Sequence, residues 1–369
     1  MISEFLYIVY FFGLIIVIFL LSNFISKKYI SFSKKYKLFN ESNFASNKRE
    51  TFASAGVVYA AVLMIATVSL ENLDFVDFNK ISAEIGTSIL IVFFGFYKDF
   101  LSVTNFQKYI LLSFVISMLV YSSLTDSSNI GIINNLNGFL GIYELSSIGS
   151  FIFTFIFYLS VINAINRFGE VQGYIIFFCL SFFISMIYIN FLNELYTLNT
   201  LSIILIGIFI FFIYNNYIKK NIILIGHSGS LFTGFWIAYF LICYISMTPN
   251  SNLVNIFSIK LENVLILALS IINIAVIDTI RVIIIRIIKW KSPFSDDKRW
   301  HLHHILLDSG MSKLRTSLIL TFINCFNCIL IFLLEPNFNS KELIIIFIII
   351  GIIWFSFFQY MKTKNINYL

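Results

Sequence analysis

Long apolar runs broken by short polar stretches set the pattern of this chain. The runs lie near 4–25, 53–70, 82–97, 108–124, 147–164, 174–192, 199–217, 229–247, 263–285, 316–334 and 342–360. Each approaches the length of about 20 apolar residues that a helix needs to cross a bilayer. They predict an all-α, polytopic membrane protein of about eleven transmembrane helices, forming one domain over residues 1–369. The stretch 128–146, which holds Asn134, Asn135, Asn137 and Gly138, is too polar to span and reads as a loop. The first run has neither a basic start nor a small-residue cleavage site, so it reads as a retained helix and not a signal peptide. Internal repeats, low-complexity segments and soluble domains are not evident in the sequence.

Composition agrees with that pattern and charge orients it. Apolar residues make up 59% of the chain and charged residues 12%, against about a quarter charged in a soluble domain. Basic residues stay on the cytoplasmic side of a membrane. With eleven spans, the loops 26–52, 98–107, 165–173, 218–228 and 286–315 and the C-terminal tail fall on one side. That side and its borders hold all of the 25 Lys and Arg except Lys80, Lys260 and Lys341. The expected topology therefore has the N-terminus outside and the C-terminus cytoplasmic. The net charge of +6 speaks for a membrane surface and not for nucleic acid. The basic residues of the first cytoplasmic loop (Lys27, Lys28, Lys34, Lys35, Lys37, Lys48 and Arg49) fit topology anchoring and attraction to anionic lipid. Contact with an anionic substrate is the functional alternative. The four cysteines lie in apolar runs and read as small hydrophobes. Cys325 and Cys328 form a Cys-x-x-Cys, but in mid-helix without polar partners, which argues against a metal or redox role.

The unusual polar residues gather on the same predicted face. The segment Ser292-Pro-Phe-Ser-Asp-Asp-Lys-Arg-Trp-His-Leu-His-His304 carries three of the four histidines, with Lys298 and Arg299 beside them. It sits in the polar stretch 286–315, expected to be a cytoplasmic histidine loop. Imidazole and guanidinium donors bind phosphate oxygens with charge-assisted hydrogen bonds, so His301, His303, His304 and Arg299 are candidate phosphate ligands. Ile225-Gly-His-Ser-Gly-Ser230 precedes an apolar run, with Ser228 or Ser230 as a candidate helix cap, and exposed amides there would also suit an anion. Asn163 and Asn166 stand three apart on one helical face, where interhelical hydrogen bonding is the plain alternative to substrate binding. Lys98 and Asp99 end the third run. Asp278 and Arg281 stand three apart within the ninth, as a functional pair or a structural ion pair.

These motifs together resemble the polyprenyl-phosphate sugar-1-phosphate transferases, including the undecaprenyl-phosphate N-acetylglucosamine-1-phosphate transferases (glycosyltransferase family 4). The runs Asp278-Thr-Ile-Arg281, Lys291-Ser-Pro-Phe294 and His301-Leu-His-His304-Ile-Leu-Leu307 carry the resemblance. Gly226-His-Ser-Gly-Ser230 looks like the family's Gly-Asp-x-Gly-Ser, Asn163-Ala-Ile-Asn166 like its Asn-Ala-x-Asn, and Lys98-Asp99 sits where the family has an Asp pair. The resemblance implies transfer of a sugar-1-phosphate from a UDP-sugar to undecaprenyl phosphate, with release of UMP. It also implies a role in cell-envelope polysaccharide synthesis at the cytoplasmic face of a bacterial inner membrane. Its partners would be the UDP-sugar, the polyprenyl phosphate and the bilayer, and the apolar surface is compatible with a homodimer. Mg²⁺ or Mn²⁺ is the implied cofactor, because a hard cation held by carboxylates neutralises a pyrophosphate.

This chain departs from the family at its acids. Lys98 replaces the first acid of the pair, His227 the metal-binding acid of Gly-Asp-x-Gly-Ser, and Gly169 and Gln172 stand where the family carries two aspartates. The entry to the second span has drifted to Thr51-Phe-Ala-Ser-Ala-Gly56, and Trp300 lengthens the histidine loop by one residue. On the resemblance, Asp99, Lys98 and Glu170 are the catalytic candidates, and Asn163, Asn166, Ser228, Ser230 and Arg281 join the histidines in binding phosphate or substrate. His227 and Asp99 mark the metal positions. Asp99, Glu170, Asp296 and Asp297 are the acids a re-sited cation would draw on, with Lys98 able to supply part of its charge. A catalytically inactive relative that binds or scaffolds is the main alternative, and a transporter the third.

Overall fold

The computed structural model describes residues 2–42, 49–52, 54–73, 75–101, 104–125, 131–170, 172–219, 223–250, 256–290 and 300–366. Each predicted run becomes helix. In chain order these are α1 (Ile2–Lys35), α2 (Ala55–Glu71), α3 (Ser82–Phe100), α4 (Asn105–Thr125), α5 (Ser147–Arg167), α6 (Gln172–Leu192) and α7 (Tyr196–Ile213). The second half contains α8 (Gly226–Met247), α9 (Val264–Ile271), α10 (Asn273–Ile288), α11 (Leu302–Asp308), α12 (Lys313–Leu334) and α13 (Ser340–Ile366). Two small antiparallel hairpins interrupt them: β1 (Phe39–Ser42) with β2 (Arg49–Phe52), and β3 (Asn135–Phe139) with β4 (Ile142–Glu144). The second hairpin lies in the stretch read as loop. Leu140 and Gly141, between the paired Phe139 and Ile142, take positive φ there, as a two-residue hairpin turn requires.

The protein is a multi-pass membrane protein. Among the described residues, eight helices are long and apolar enough to cross a bilayer: α1, α4, α5, α6, α7, α8, α12 and α13. A ninth span results if α9 and α10, which meet at 78°, count as one. This is fewer than the eleven expected. Helix α2 is only 17 residues long, and α3 carries Glu84, Lys98 and Asp99.

Helix α8 forms the centre. Every residue from Ser228 to Ile245 is buried, as expected of a helix apolar on all sides. It packs against α3, α5 and α2, while α7 is sandwiched by α1 and α6. The outer helices α1 and α13 turn large apolar side chains such as Phe12, Leu20, Ile352 and Phe357 outward.

The sharp bend between α9 and α10 falls in a run without Gly or Pro. Broken helices leave backbone groups unpaired, and inside a membrane other groups must satisfy them. Two asparagines do so, and a third supports them. Asn324 of α12 donates to the Ile271 carbonyl (2.8 Å) and accepts from the Ile274 amide (3.1 Å). Asn273 donates to the Ser270 and Asn324 carbonyls, and Asn327 donates to Asn273 Oδ1 (3.0 Å). Trp354 of α13 donates to Asn327 (3.2 Å). This bend carries Asp278 and Arg281 on α10.

Candidate functional site

The first amides of a helix have no intrahelical partner, and α8 meets this need through another helix. Asp99, in the last turn of α3, accepts from the His227 amide (2.7 Å) and the Ser228 amide (3.3 Å). It also accepts the Ser54 hydroxyl at 2.5 Å. Both carboxylate oxygens are therefore taken up in joining α2, α3 and α8. The cap expected from Ser228 or Ser230 is not made by either: α8 has no side-chain cap of its own. Ser230 instead donates to Asn166 Oδ1 (2.7 Å). Glycine at 226 suits this geometry. Its φ is +65°, and a Cβ there would stand 2.5 Å from Asp99 Oδ2. At Gly56 and Gly95 a Cβ would overlap the backbone of Ser228, so the three helices approach as closely as chains can.

Asn166, at the end of α5, extends the cluster. Its side-chain oxygen lies 3.4 Å from His227 Nδ1 as well as near Ser230. Asn163 accepts from Tyr109 of α4 at 2.6 Å. It thus ties two helices together, one turn away from Asn166.

Arg167 follows Asn166 and leads to a second hub, centred on the buried Asp278. Asp278 Oδ1 accepts from Arg281 Nη2 (2.9 Å) and from the Leu302 amide (3.1 Å), which starts α11. Oδ2 lies 2.8 Å from His301 Nδ1. A proton on Nδ1 directed at the carboxylate leaves Nε2 as an acceptor, and Arg167 Nη1 lies 3.4 Å from it. Arg281 also donates to the Trp300 carbonyl, and the Trp300 ring lies 4.0 Å under Lys289 Nζ. The additional residue in the histidine segment thus anchors it to α10. His301 and His303 are buried, with parallel rings 5.8 Å apart. His303 also faces Phe168 at 5.7 Å, and half-buried His304 at 4.2 Å.

The structure therefore brings His227, Ser230, Asn166, His301, His303, His304 and Arg281 to one end of the bundle, with Asp99 under the start of α8. Lys98 is half-buried in the last turn of α3. Arg299, Asp296 and Asp297 lie outside the described residues, as does the side chain of Glu170. Sequence reasoning missed Arg167 and Ser54 as site residues. A cation directly after Asn166 at a helix end was the available signal for Arg167. The partnership of Ser54 with Asp99 leaves no local trace.

Two features set the electrostatics of the Asp278 hub. Among the described residues, Arg281 pairs with Asp278 while Arg167 meets the His301 imidazole and no carboxylate. Arg167 Nε and Arg281 Nη1 are buried without a hydrogen-bond partner in the described structure. A divalent cation fits less well. Mg²⁺ requires several oxygen ligands, yet among the described residues no group of three or more His, Cys, Asp or Glu is placed to hold a metal ion. Asp99 is engaged on both oxygens, and His227 offers an imidazole where oxygen is preferred. The described residues do not fit the metal.

Residues 81–245 match the model of Glycosyl transferase family 4, a stretch that contains Asp99, Asn166 and the start of α8 and ends before Asp278. No curated protein matches the chain. The substrates of this family are a UDP-sugar and a polyprenyl phosphate, and the family implies a divalent metal. By this match, residues 81–245, somewhat under half of the chain, are similar to glycosyl transferase family 4, the polyprenyl-phosphate sugar-1-phosphate transferase family.

Proposed function

We propose that the protein transfers a sugar-1-phosphate from a UDP-sugar to undecaprenyl phosphate in the synthesis of a cell-envelope polysaccharide. An oxygen of the lipid phosphate bonds to the sugar-bearing phosphorus, the bond to the bridging oxygen breaks, and UMP leaves with that oxygen. The observation that carries this reading is the convergence of Arg167, Arg281 and the histidines beside Asn166 and the start of α8. Guanidinium and imidazole donors suit the charge that builds on the leaving phosphate. Arg299 belongs to the same proposed set, Asn163 and Asn166 shape it, Ser228 and Ser230 line its α8 side, and Lys98 and Glu170 are the groups left for proton and charge management. The proposed setting is the cytoplasmic side of a bacterial inner membrane, with the N-terminus outside and the C-terminus inside.

The test is release of UMP by the purified protein from UDP-sugars and polyprenyl phosphate, with Mg²⁺ or Mn²⁺ supplied. His303→Ala is expected to abolish it. A second reading has its own support: with Asp99 engaged by α8 and Ser54 and His227 at a metal position, the protein would bind these substrates without turnover. Retained UDP-sugar binding with no UMP from any sugar tested would establish that second reading and remove the first.

A further inference from the structure

We propose that this protein binds a phosphoryl group without a divalent cation, between Arg167 and Arg281 on either side of the Asp278–His301 pair. The proposal rests on the reading that the site handles phosphate, and adds what holds it there. Three observations lead to it.

The first is charge. Arg281 and Asp278 form an ion pair at 2.9 Å with both side chains buried, and His301 Nδ1 occupies the other carboxylate oxygen. Arg167 then adds a second guanidinium that no described carboxylate meets. A partly buried charge without a counter-charge is unfavourable, and an anion restores the balance.

The second is donor geometry. Of the Arg281 donors, Nε and Nη2 are engaged by Asp278, and Nη2 also by the Trp300 carbonyl. Among the described residues, Nη1 is buried with no acceptor, and so is Arg167 Nε. Buried donors are nearly always satisfied. Two planar guanidinium groups form a donor set that phosphate oxygens accept well, because the fork of N–H groups matches the spacing of the oxygens. Arg167 is only half-buried, which leaves a way in on its side.

The third is what has become of the metal position. The Asp99 oxygens hold α8 and Ser54, and the Asn166 oxygen faces Ser230 and His227. Oxygens that would surround a cation are engaged in joining helices. The positive charge that a metal would bring comes instead from the protein.

Two sources supply such a group, a nucleotide diphosphate and a lipid monophosphate, and the test separates them. The full chain, in lipid nanodiscs treated with EDTA, is titrated calorimetrically with UDP and with farnesyl phosphate, and again with Mg²⁺ present. The proposal expects binding in EDTA, with a Kd that Mg²⁺ improves by less than about threefold. Arg167→Gln is expected to weaken it by about tenfold or more, the loss of a charge-assisted hydrogen bond, and Arg167→Lys by less. Lys80→Gln, at the far end of the bundle, leaves it unchanged. Arg281→Lys is a second probe should removal of that charge unfold the chain. Binding by either ligand supports the proposal and identifies the source. Binding seen only with Mg²⁺, binding unaffected by Arg167→Gln, or no binding of either ligand overturns it. UMP release that requires Mg²⁺, with no binding in EDTA, keeps the transferase reading and removes this one. EDTA-resistant binding without any UMP release does the reverse.

Discussion

Three donors converge on the carboxylate of Asp99, two of them the first free amides of α8. Removing the acceptor leaves all three in a dry place. Asp99→Ala is therefore expected to destabilise the protein by about 2–4 kcal/mol, read as a lower thermal midpoint in detergent, whether or not any metal is present. A midpoint that stays unchanged would contradict the capping role. At this scale some of the site was legible. Asp278 and Arg281, three apart, could be paired from spacing alone, and Gly226-His-Ser-Gly-Ser230 could be read as the start of a helix. The partners that complete these groups were not legible. Asp99 reaches α8 from 128 residues away in sequence, and His301 reaches Asp278 from 23. Such pairs follow from helix packing, which leaves no periodic signal in either segment.

Among the elements, the break between α9 and α10 matters most to the site. The run 263–285 holds neither Gly nor Pro and reads as one span. Its bend comes from outside, through Asn324 on α12, which offers the interrupted backbone one donor and one acceptor, with Asn327 holding the Asn273 side chain beside it. Asn324→Leu withdraws one donor and one acceptor from the bend. The expected result is a loss of about 2–3 kcal/mol together with weakened UDP binding, because Asp278 and Arg281 lie just beyond the bend. Calorimetry of unfolding and of ligand binding would measure both. Unfolding at the wild-type midpoint with full binding would show that the asparagines do not set the bend. The other helices were largely visible beforehand, since long apolar runs have few alternatives to helix in a bilayer. The β3–β4 hairpin was not, because its polar residues Asn135 and Asn137 lie within strand β3 and its turn is Leu140-Gly141.

For the molecule as a whole, the distribution of Lys and Arg carries the orientation. The outward face is expected to include Lys80, paired with Asp77 at 2.9 Å, and the inward face to include the exposed Asp308 at the end of α11. With the native cysteines replaced by serine, Lys80→Cys should react with a membrane-impermeant maleimide on intact cells. Asp308→Cys should react only after the cells are opened. Labelling of both from the same side would reverse or break the topology. The eight or nine spans that meet length and apolarity leave α2 and α3 as the elements whose depth such labelling would fix.

Helix α8 is buried along nearly its whole length, while α1 and α13 present their side chains outward. Bilayers differ in thickness, and a helix accommodates a mismatch by tilting or by drawing the lipid around it, at small cost per ångström. That adjustment falls on the peripheral helices. The central helix, together with the Asp99 carboxylate that fixes its first turn, is shielded from the changing lipid composition of a growing cell, so the geometry of the proposed phosphate site stays constant while its surroundings do not.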